Sequence, residues 1–271
     1  MTDAECVAFL QWALPRMNLR WEGYRRVRRT VCKRVARRVA ELGLADVQAY
    51  RALLERQSDE WRVLDSMCPI TISRFYRDAG VFDRLRQDVL PDVARAVTQE
   101  GAGELRAWSL GCASGEEAYT LSMLWRLDVG ARFPSLTLRV VATDVDEDVL
   151  ARAQRGCYEQ GSLRELPSAW REAAFERSGP LWCVRPSMRE GIDFRREDVR
   201  EQMPAGPLHL VLCRYMIFNY FDEATQRALA ARIAQRTAPF GVLVVGTHEA
   251  VPEDAGWIPG PAGTHTYRRA G

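Results

Sequence analysis

Residues 105–127 read LRAWSLGCASGEEAYTLSMLWRL, and this stretch decides the fold class of the chain. It begins as an apolar strand, breaks at the turn formed by residues 111–115, and continues as a helix that starts with Glu116 and Glu117. Glycines in a strand-to-helix turn let the backbone approach a ligand, and the helix N-terminus offers free N–H groups beside it. The two acids either complement the helix dipole or accept hydrogen bonds from an amino group or ribose hydroxyls. Taken alone, the stretch fits a tight turn and a ligand-binding turn equally well.

A second strand follows at residues 136–145, LTLRVVATDV, with Asp144 at its carboxyl end. In a nucleotide-binding half-sheet, an acid at this place can accept hydrogen bonds from both ribose hydroxyls. The chain between Gly115 and this strand is long enough for one helix and one loop, as a crossover between parallel strands requires. Asp144 by itself could equally be a helix cap. Together, the glycine turn and this acid predict a site for an adenosyl ligand.

Composition sets limits on the class of protein. The chain has 271 residues, 47% hydrophobic and 27% charged, which is typical of a soluble globular protein with one large domain or one large and one small domain. No apolar run reaches the length of a membrane span and no signal peptide is recognised, so we expect a cytoplasmic protein without membrane insertion. The seven cysteines contain no C-x-x-C pair, which predicts reduced thiols rather than disulfides. The three dispersed histidines predict that there is no metal site.

The positive charge is concentrated in one predicted helix, although the net charge of the chain is only +2. In this helix the valines recur every fourth residue, from Val27 to Val39, and Gly43 is the predicted C-cap. We interpret its arginines as a docking surface for an acidic helical protein, and the candidates are Arg25, Arg28, Arg29 and Arg37. A solvated helix face is the alternative. Nucleic-acid binding is a weaker hypothesis, because no aromatic side chains are interleaved with the charges.

The chain divides into three predicted parts. Residues 1–66 read as a helical domain, in which Asp46 caps a helix, and residues 67–98 as a linker and a helix that lines the site. Residues 99–271 read as the ligand-binding domain, with a small β subdomain inserted at about 161–198 that includes the strands LWCVRP and GIDFRRED. Further strands are predicted at 208–213, at 242–246 and, as an edge strand, in HTYRR. Strands alternating with helices predict a mostly parallel sheet covered on both faces.

Four segments carry a resemblance to a known family. They are TISRFYRD (71–78), SLGCASGEEAYTLSM (109–123), ATDVDEDVLARAQRGCYEQGSLRELP (142–167) and CRYMIFNYFDEATQ (213–226). In order and spacing they resemble the chemotaxis receptor methyltransferases of the CheR type. The resemblance implies an α/β fold with a Rossmann-like seven-stranded methyltransferase sheet, a helical N-terminal domain and a small inserted β subdomain. It also implies methyl transfer from S-adenosylmethionine to glutamate side chains of a chemoreceptor, with S-adenosylhomocysteine as the product.

The resemblance also implies roles for individual residues. The positions that match the family's cofactor contacts are Thr71, Ser73, Arg77, Gly111, Glu116, Glu117, Asp144, Asp198, Val199, Arg214, Tyr215 and Met216. Arg77 and Tyr220 match its active-site residues. A glutamate acceptor is ionised at neutral pH, so no general base is required, and Arg77 could orient its carboxylate through two hydrogen bonds. The alternatives are a structural ion pair of Arg77 with Asp78 or Asp83, and a core position for Tyr220.

Two departures from the family pattern concern the substrate. Tyr215 stands where the family has asparagine, and the segment CRYMIFNYFD is one residue longer than usual. Asn219 is therefore an alternative to Tyr220 in the active site. A different acceptor, either another protein or a small carboxylic acid, is the first alternative function. A cofactor-binding regulatory module without catalysis is the second. We expect a monomer.

Overall fold

The computed structural model describes residues 1–270 and divides into two compact units. The helical unit consists of Met1–Ile70 and the returning segment Asn219–Gln226. The sheet unit begins at Thr71, runs to Phe218, and continues from Arg227. Among residues 1–270, no helix combines the length and the apolar character that crossing a bilayer would require.

The helical unit is built around a small apolar core. Its helices are α1 (Asp3–Ala13), α2 (Trp21–Tyr24), α3 (Arg28–Glu41), α4 (Val47–Leu54) and α5 (Ser58–Ser66). Val31 and Val35 of α3 are fully buried, as are Leu10 and Tyr50. Val27 and Val39 at the two ends of the predicted valine stripe are only partly buried. The stripe therefore contributes its middle two residues to the core.

Both predicted caps in this unit are confirmed. Gly43 follows α3 with φ +65°, in the left-handed region. Its N–H donates to the carbonyl of Ala40, and the N–H of Leu44 donates to that of Val39, both at 3.0 Å, which is the Schellman pattern. Asp46 accepts a hydrogen bond from the backbone N–H of Ala49 at 2.8 Å and so caps α4.

The sheet unit alternates strands and helices along most of its length. Its helices are α6 (Ala79–Arg84), α7 (Leu90–Gln99), α8 (Glu116–Leu127), α9 (Glu147–Arg155), α10 (Ser168–Ala174), α11 (Pro186–Arg189), α12 (Ile217–Tyr220) and α13 (Glu223–Arg236). The last two reach into the segment that belongs to the helical unit. Its strands are β1 (Glu104–Leu110), β2 (Thr137–Asp144), β3 (Cys157–Tyr158), β4 (Phe175–Ser178), β5 (Leu181–Val184), β6 (Ile192–Arg196), β7 (Leu208–Cys213), β8 (Thr237–Val245), β9 (Trp257–Pro259) and β10 (Thr266–Arg269).

Seven strands form one sheet in the order β6-β2-β1-β7-β8-β10-β9. The first five are parallel; β10 pairs antiparallel with β8, and β9 pairs antiparallel with β10 at the edge. All six residues of β7 are buried, as expected for a central parallel strand covered on both faces. The predicted α/β fold with a seven-stranded, mostly parallel sheet is confirmed. The carboxyl ends of β6, β2, β1 and β7 lie side by side at one edge of this sheet.

Two strand assignments differ from the predictions. Ile192–Arg196, predicted as part of the small β subdomain, pairs in parallel with β2 at the edge of the large sheet. The small sheet is β3-β5-β4 and already begins at Cys157, outside the predicted 161–198. The strand in HTYRR is covered by Trp257–Pro259 and is therefore not the edge strand. Both strands were predicted correctly but their places in the sheets were not, because periodicity carries no information about the neighbouring strand.

The prediction that all cysteines are reduced thiols is wrong for four of them. Cys6 forms a disulfide with Cys32, and Cys157 with Cys183. Each pair is separated by 26 residues, so no short spacing in the sequence indicates it. Pairing of β3 with β5 places Cys157 directly opposite Cys183. Cys68, Cys112 and Cys213 are free and buried.

Candidate cofactor and active site

The glycine turn after β1 packs tightly against its neighbours. The backbone N–H groups of Gly111 and Cys112 both donate to the carbonyl of Thr143 at 2.9 Å. Gly111 has φ +71° and Gly115 has φ +88°. A Cβ atom on Gly111 would lie 3.0 Å from Cγ of Met216, and one on Gly115 would lie 2.9 Å from Cβ of an alanine in α9. The glycines therefore satisfy both the turn geometry and the close packing of the segments that follow β1, β2 and β7.

Asp144, at the carboxyl end of β2, is oriented by backbone groups. Its Oδ2 accepts from the N–H of Ala113 at 2.9 Å and its Oδ1 from that of Asp146 at 3.1 Å. Burial raises the pKa of this carboxyl. Each oxygen has a second lone pair, so the carboxylate can still accept hydrogen bonds from a ligand. The helix cap is Asp146 instead, which accepts from Asp148 and Val149 at the start of α9.

The two acids that begin α8 have different environments. Glu116 is 4% exposed, its Oε2 has no hydrogen-bond partner among the described residues, and burial raises its pKa. A hydrogen bond from Ser73 partly offsets that rise. Glu117 is paired at both oxygens, with the hydroxyl of Ser109 at 2.8 Å and with Arg214 at 3.1 Å. Glu116 therefore keeps an open acceptor, whereas Glu117 belongs to an ionic network.

Arg214, directly after β7, is the centre of that network. Its side chain is 3% exposed. Its Nη1 donates to Glu117, and its Nη2 donates to Oδ2 of Asp78 at 2.7 Å and to the carbonyl of Arg77 at 2.6 Å. The guanidinium thus joins the TISRFYRD segment to the beginning of α8. The contact of Arg214 with the cofactor remains a prediction.

Tyr215 has φ +58°, which is uncommon for a bulky residue. Its backbone N–H donates to Oε2 of Glu249 at 2.6 Å. Its hydroxyl donates to Oδ2 of Asp78 at 2.6 Å and lies 2.8 Å from Oγ1 of Thr247. Burial, followed by the hydrogen bond to Asp78, raises the pKa of the phenol.

Glu249 is a site residue that the sequence analysis missed. Its Oε2 also accepts from the backbone N–H of Gly246 at 2.7 Å, whereas its Oε1 is buried and has no partner among the described residues. Burial raises the pKa of Glu249 to about 7. The only signal in the sequence is an acid shortly after a strong central strand, which is too common to single out.

Arg77 forms no ion pair with a carboxylate of residues 1–270. Its guanidinium carbon lies 4.1 Å from the ring centroid of Tyr215, and Nη1 donates to the carbonyl of Ile72 at 2.8 Å. Asp78 is bound by Arg214 and Tyr215, and Asp83 accepts from the hydroxyl of Tyr76 at 2.8 Å. Among the described residues, Arg77 therefore forms neither of the two structural ion pairs considered as alternatives.

The segment after β6 lies beside Asp144. The N–H of Glu197 donates to the backbone carbonyl of Asp144 at 3.1 Å. Val199 is buried, and the carboxylate of Asp198 binds the guanidinium of Arg200, with Nη2 at 2.6 Å. Burial would raise the pKa of Asp198, but the hydrogen bonds from Arg200 outweigh it and lower the pKa. The predicted adenine residues are thus adjacent to the predicted ribose residue.

Tyr220 and Asn219 belong to the helical unit, whereas Arg77 belongs to the sheet unit. The ring of Tyr220 lies 4.9 Å from that of Tyr24 and remains partly exposed. Arg20 donates to the backbone carbonyl of Tyr220 at 2.9 Å through its N–H and to that of Asn219 at 3.1 Å through Nε. The catalytic role of Tyr220 remains a prediction.

The basic residues of and around α3 fall into two groups. Arg34 donates to the carbonyls of Met67 and Pro69, and Arg38 binds the buried carboxylate of Glu60 at 2.8–2.9 Å. Of the four docking candidates, Arg28 binds Asp3 at 3.0 Å, and Arg37 is 75% exposed with Glu41 at 3.6 Å. Arg25 and Arg29 are exposed and form no ion pair with a carboxylate within residues 1–270. Their charges are therefore available to a partner.

Comparisons with known proteins agree on one family. Residues 71–265 match the family model described as CheR methyltransferase, SAM binding domain. The chain is 34% identical over 226 residues to an uncharacterized 104.1 kDa protein in the hypE 3'region of Rhodobacter capsulatus, covering 82% of this chain and 23% of that protein. It is 32% identical over 193 residues to the chemotaxis protein methyltransferase of Listeria monocytogenes, covering 70% of each. It is 31% identical over 227 residues to that of Escherichia coli K12, covering 81% of this chain and 75% of that protein.

Proposed function

This chain belongs to the CheR methyltransferase family, and on that premise we propose that it methylates glutamate carboxylates of a protein. Residues 71–265 form its S-adenosylmethionine-binding methyltransferase domain. As the acceptor we propose a chemoreceptor cytoplasmic domain with acidic helices, because the relatives from Listeria monocytogenes and Escherichia coli are named chemotaxis protein methyltransferases.

Hydrogen-bond acceptors in the sheet unit match the hydrogen-bond donors of S-adenosylmethionine. S-adenosylmethionine presents two ribose hydroxyls and a cationic amino group, all hydrogen-bond donors. Asp144 keeps open lone pairs on both oxygens and would hold the ribose. Glu116 has a buried oxygen without a partner and would accept from the amino group. Val199, buried beside Asp144's strand, would lie at the adenine. When bound, the cofactor supplies a methyl group that its sulfonium already activates.

The unneutralised charge of Arg77 is the observation that supports a carboxylate acceptor. A planar guanidinium with free in-plane N–H donors matches the two oxygens of a carboxylate. A glutamate, with an ordinary pKa of about 4.3, is ionised at neutral pH and needs no general base. Arg77 would also withdraw charge from the attacking oxygen, so its benefit has to come from orientation. Positioning of this kind can lower a barrier by roughly 7–11 kcal/mol.

One further part of the chain completes the proposal. The exposed arginines Arg25 and Arg29 would attract the acidic surface of the protein substrate, which raises the association rate at low ionic strength.

The test identifies the bond that is made. The protein is incubated with methyl-labelled S-adenosylmethionine and a purified chemoreceptor cytoplasmic domain, and the labelled receptor is then exposed to mild alkali. A methyl ester releases its label as volatile methanol, whereas a methyl group on nitrogen or on an ether oxygen is retained. Release supports the proposal, and label that survives alkali contradicts it.

A pair of arginine variants makes the test specific to the site. Arg77→Ala should abolish most of the alkali-labile label, whereas Arg84→Ala, a matched change of an exposed arginine on α6, should leave it unchanged. Label found only on small carboxylic acids would favour the first alternative function. Cofactor binding without turnover on any acceptor would favour the second.

A further inference from the structure

Tyr215 occupies the place where the family pattern has an asparagine, and both its backbone N–H and its hydroxyl are hydrogen-bonded within the protein. Its N–H donates to Glu249, and its hydroxyl donates to Asp78 and accepts from the N–H of Thr247 at 3.2 Å. We propose that Tyr215 is a positioning residue that holds the guanidinium of Arg77 in place for methyl transfer. This inference rests on the proposed function, because Arg77 is the group that it positions.

The ring of Tyr215 packs against Gly246, which directly follows β8. A Cβ atom on Gly246 would lie 2.7 Å from Cε1 and 2.8 Å from Cζ of the ring, so only glycine fits there. Oε2 of Glu249 accepts from the N–H groups of both Tyr215 and Gly246 and so links the backbones of these two residues. The left-handed backbone of Tyr215 is thus held in place by the surrounding contacts.

The ring supports Arg77 from one face. At 4.1 Å from the ring centroid, the guanidinium lies well within the range of a cation–π contact. A cation–π contact is not a hydrogen bond, so the N–H donors of the guanidinium stay free to form hydrogen bonds. One of them donates to the carbonyl of Ile72. The others remain available for a carboxylate.

The hydroxyl of Tyr215 has a separate effect on the same arginine. Asp78 is adjacent to Arg77 in the chain and is the carboxylate that could most readily neutralise it. Tyr215 and Arg214 both donate to Oδ2 of Asp78, and this carboxylate forms no ion pair with Arg77 among the described residues. The ring thus fixes the position of Arg77, and the hydroxyl helps to preserve its free charge.

Two substitutions separate these contributions. Tyr215→Phe keeps the ring and removes the hydrogen bonds of the hydroxyl. Tyr215→Asn removes the ring as well, and asparagine is a residue type that favours the left-handed conformation, so this variant should fold. We expect kcat on the protein acceptor to fall in the order wild type, Tyr215→Phe, Tyr215→Asn. The last step should be roughly 2- to 30-fold, as for loss of a cation–π contact.

The experiment measures kcat, KM for the acceptor, the cofactor dissociation constant by calorimetry, and Tm for each variant. The Tyr215→Phe variant is also prepared with one or more fluorine atoms on the ring. Each fluorine weakens the attraction between the ring and the guanidinium while nearly preserving the shape of the ring. A graded fall in kcat of the folded variants at saturating cofactor, larger than any change in the cofactor dissociation constant, supports the inference. Equal kcat for Tyr215→Phe and Tyr215→Asn, or no response to fluorination, overturns it, as does a loss of activity that only follows a loss of cofactor binding or stability.

A second readout does not depend on methyl transfer. The rate at which phenylglyoxal modifies Arg77 is followed by mass spectrometry, with Arg84 as the internal reference. The modification should be faster in Tyr215→Asn than in Tyr215→Phe. Equal rates would contradict the inference that the ring holds the guanidinium of Arg77. If the wild-type protein methylates no carboxylate, the proposed function fails, while this rate still decides whether Tyr215 holds Arg77.

Discussion

Asp144 and Asp146 are one residue apart in the chain and have different partners. Asp144 is oriented toward the predicted ribose site by two backbone N–H groups, whereas Asp146 caps α9. Asp144→Asn should weaken S-adenosylmethionine binding by about 1.5–3 kcal/mol, because it replaces a charged acceptor of hydrogen bonds by a neutral one. Calorimetric titration measures the change.

Asp146→Ala is the matched control for this prediction. It should lower the free energy of unfolding by about 1 kcal/mol through loss of the cap and leave cofactor affinity unchanged. If Asp144→Asn binds the cofactor like the wild type, or if both variants lose affinity equally, the ribose assignment is wrong.

Glu249 predicts a pH dependence of stability. Burial raises its pKa from 4.5 to about 7, so the folded protein binds its proton more tightly than the unfolded chain does. The free energy of unfolding should therefore fall as pH rises from about 4.5 to about 7, by up to about 3 kcal/mol, and then level off. Arg214 and Glu117, which face this carboxyl, modify the effect in opposite directions.

Glu249→Gln should remove this decline, because an amide does not titrate. Urea unfolding at pH 5 and pH 8 measures the difference, and the exposed Glu253→Gln serves as the control. A wild type and a Glu249→Gln variant with the same pH dependence would show that Glu249 does not cause it.

At the scale of elements, Gly43 shows how a local signal specifies a helix end. A Cβ atom added to this residue would meet nothing within 4 Å, so the cost of Gly43→Ala comes from the left-handed backbone alone. We expect a loss of about 1–2 kcal/mol in the free energy of unfolding. Gly80→Ala is the control, since Gly80 also has open space but lies in α6 at negative φ. It should be neutral or stabilising by up to about 1 kcal/mol.

The basic face around α3 predicts a selective effect on protein substrates. Arg25→Glu together with Arg29→Glu reverses two exposed charges and should lower kcat/KM for a receptor domain by at least about tenfold at low ionic strength. Cofactor affinity and Tm should not change, and added salt should reduce the wild-type rate in the same way. The control is Arg56→Glu with Arg62→Glu, which changes the net charge equally on exposed residues of the same unit. An equal loss in both pairs would mean that net charge, and not this face, is recognised.

The elements that sequence patterns predicted well are those specified locally. Caps such as Gly43 and Asp46, and strands such as Leu208–Cys213, follow from a few consecutive residues. The pairing of Ile192–Arg196 with β2 depends on residues about fifty positions earlier, and no local pattern records it. The same limit explains the cysteines, since Cys157 meets Cys183 only because two short strands pair.

At the scale of the whole molecule, the candidate site is assembled from the carboxyl ends of several strands. The glycine turn and Asp144 could be predicted, because the connection from a strand to a helix and an acid at a strand end are visible in sequence. The network of Asp78, Arg214, Tyr215 and Glu249 could not, because its members come together only when β7 and β8 pair beside β1. For the same reason the sequence could not separate Glu116, whose Oε2 has no partner among the described residues, from Glu117, which is paired at both oxygens.

Hydrogen–deuterium exchange with S-adenosylhomocysteine tests this assembly across the chain. Bound ligand should protect amides at 111–117, 144–146, 197–199 and 214–216, which follow β1, β2, β6 and β7. At a ligand concentration about 100 times its Kd, amides that exchange only after ligand release should slow by roughly 100-fold, equivalent to about 2.7 kcal/mol. The opposite strand ends, at 103–105 and at Gly206 and Leu208, are the internal control and should not change. Helix α3 should also be unaffected by this ligand and become protected only when a protein substrate is added. Protection confined to the opposite strand ends or to the helical unit would contradict the site, whatever the activity of the protein.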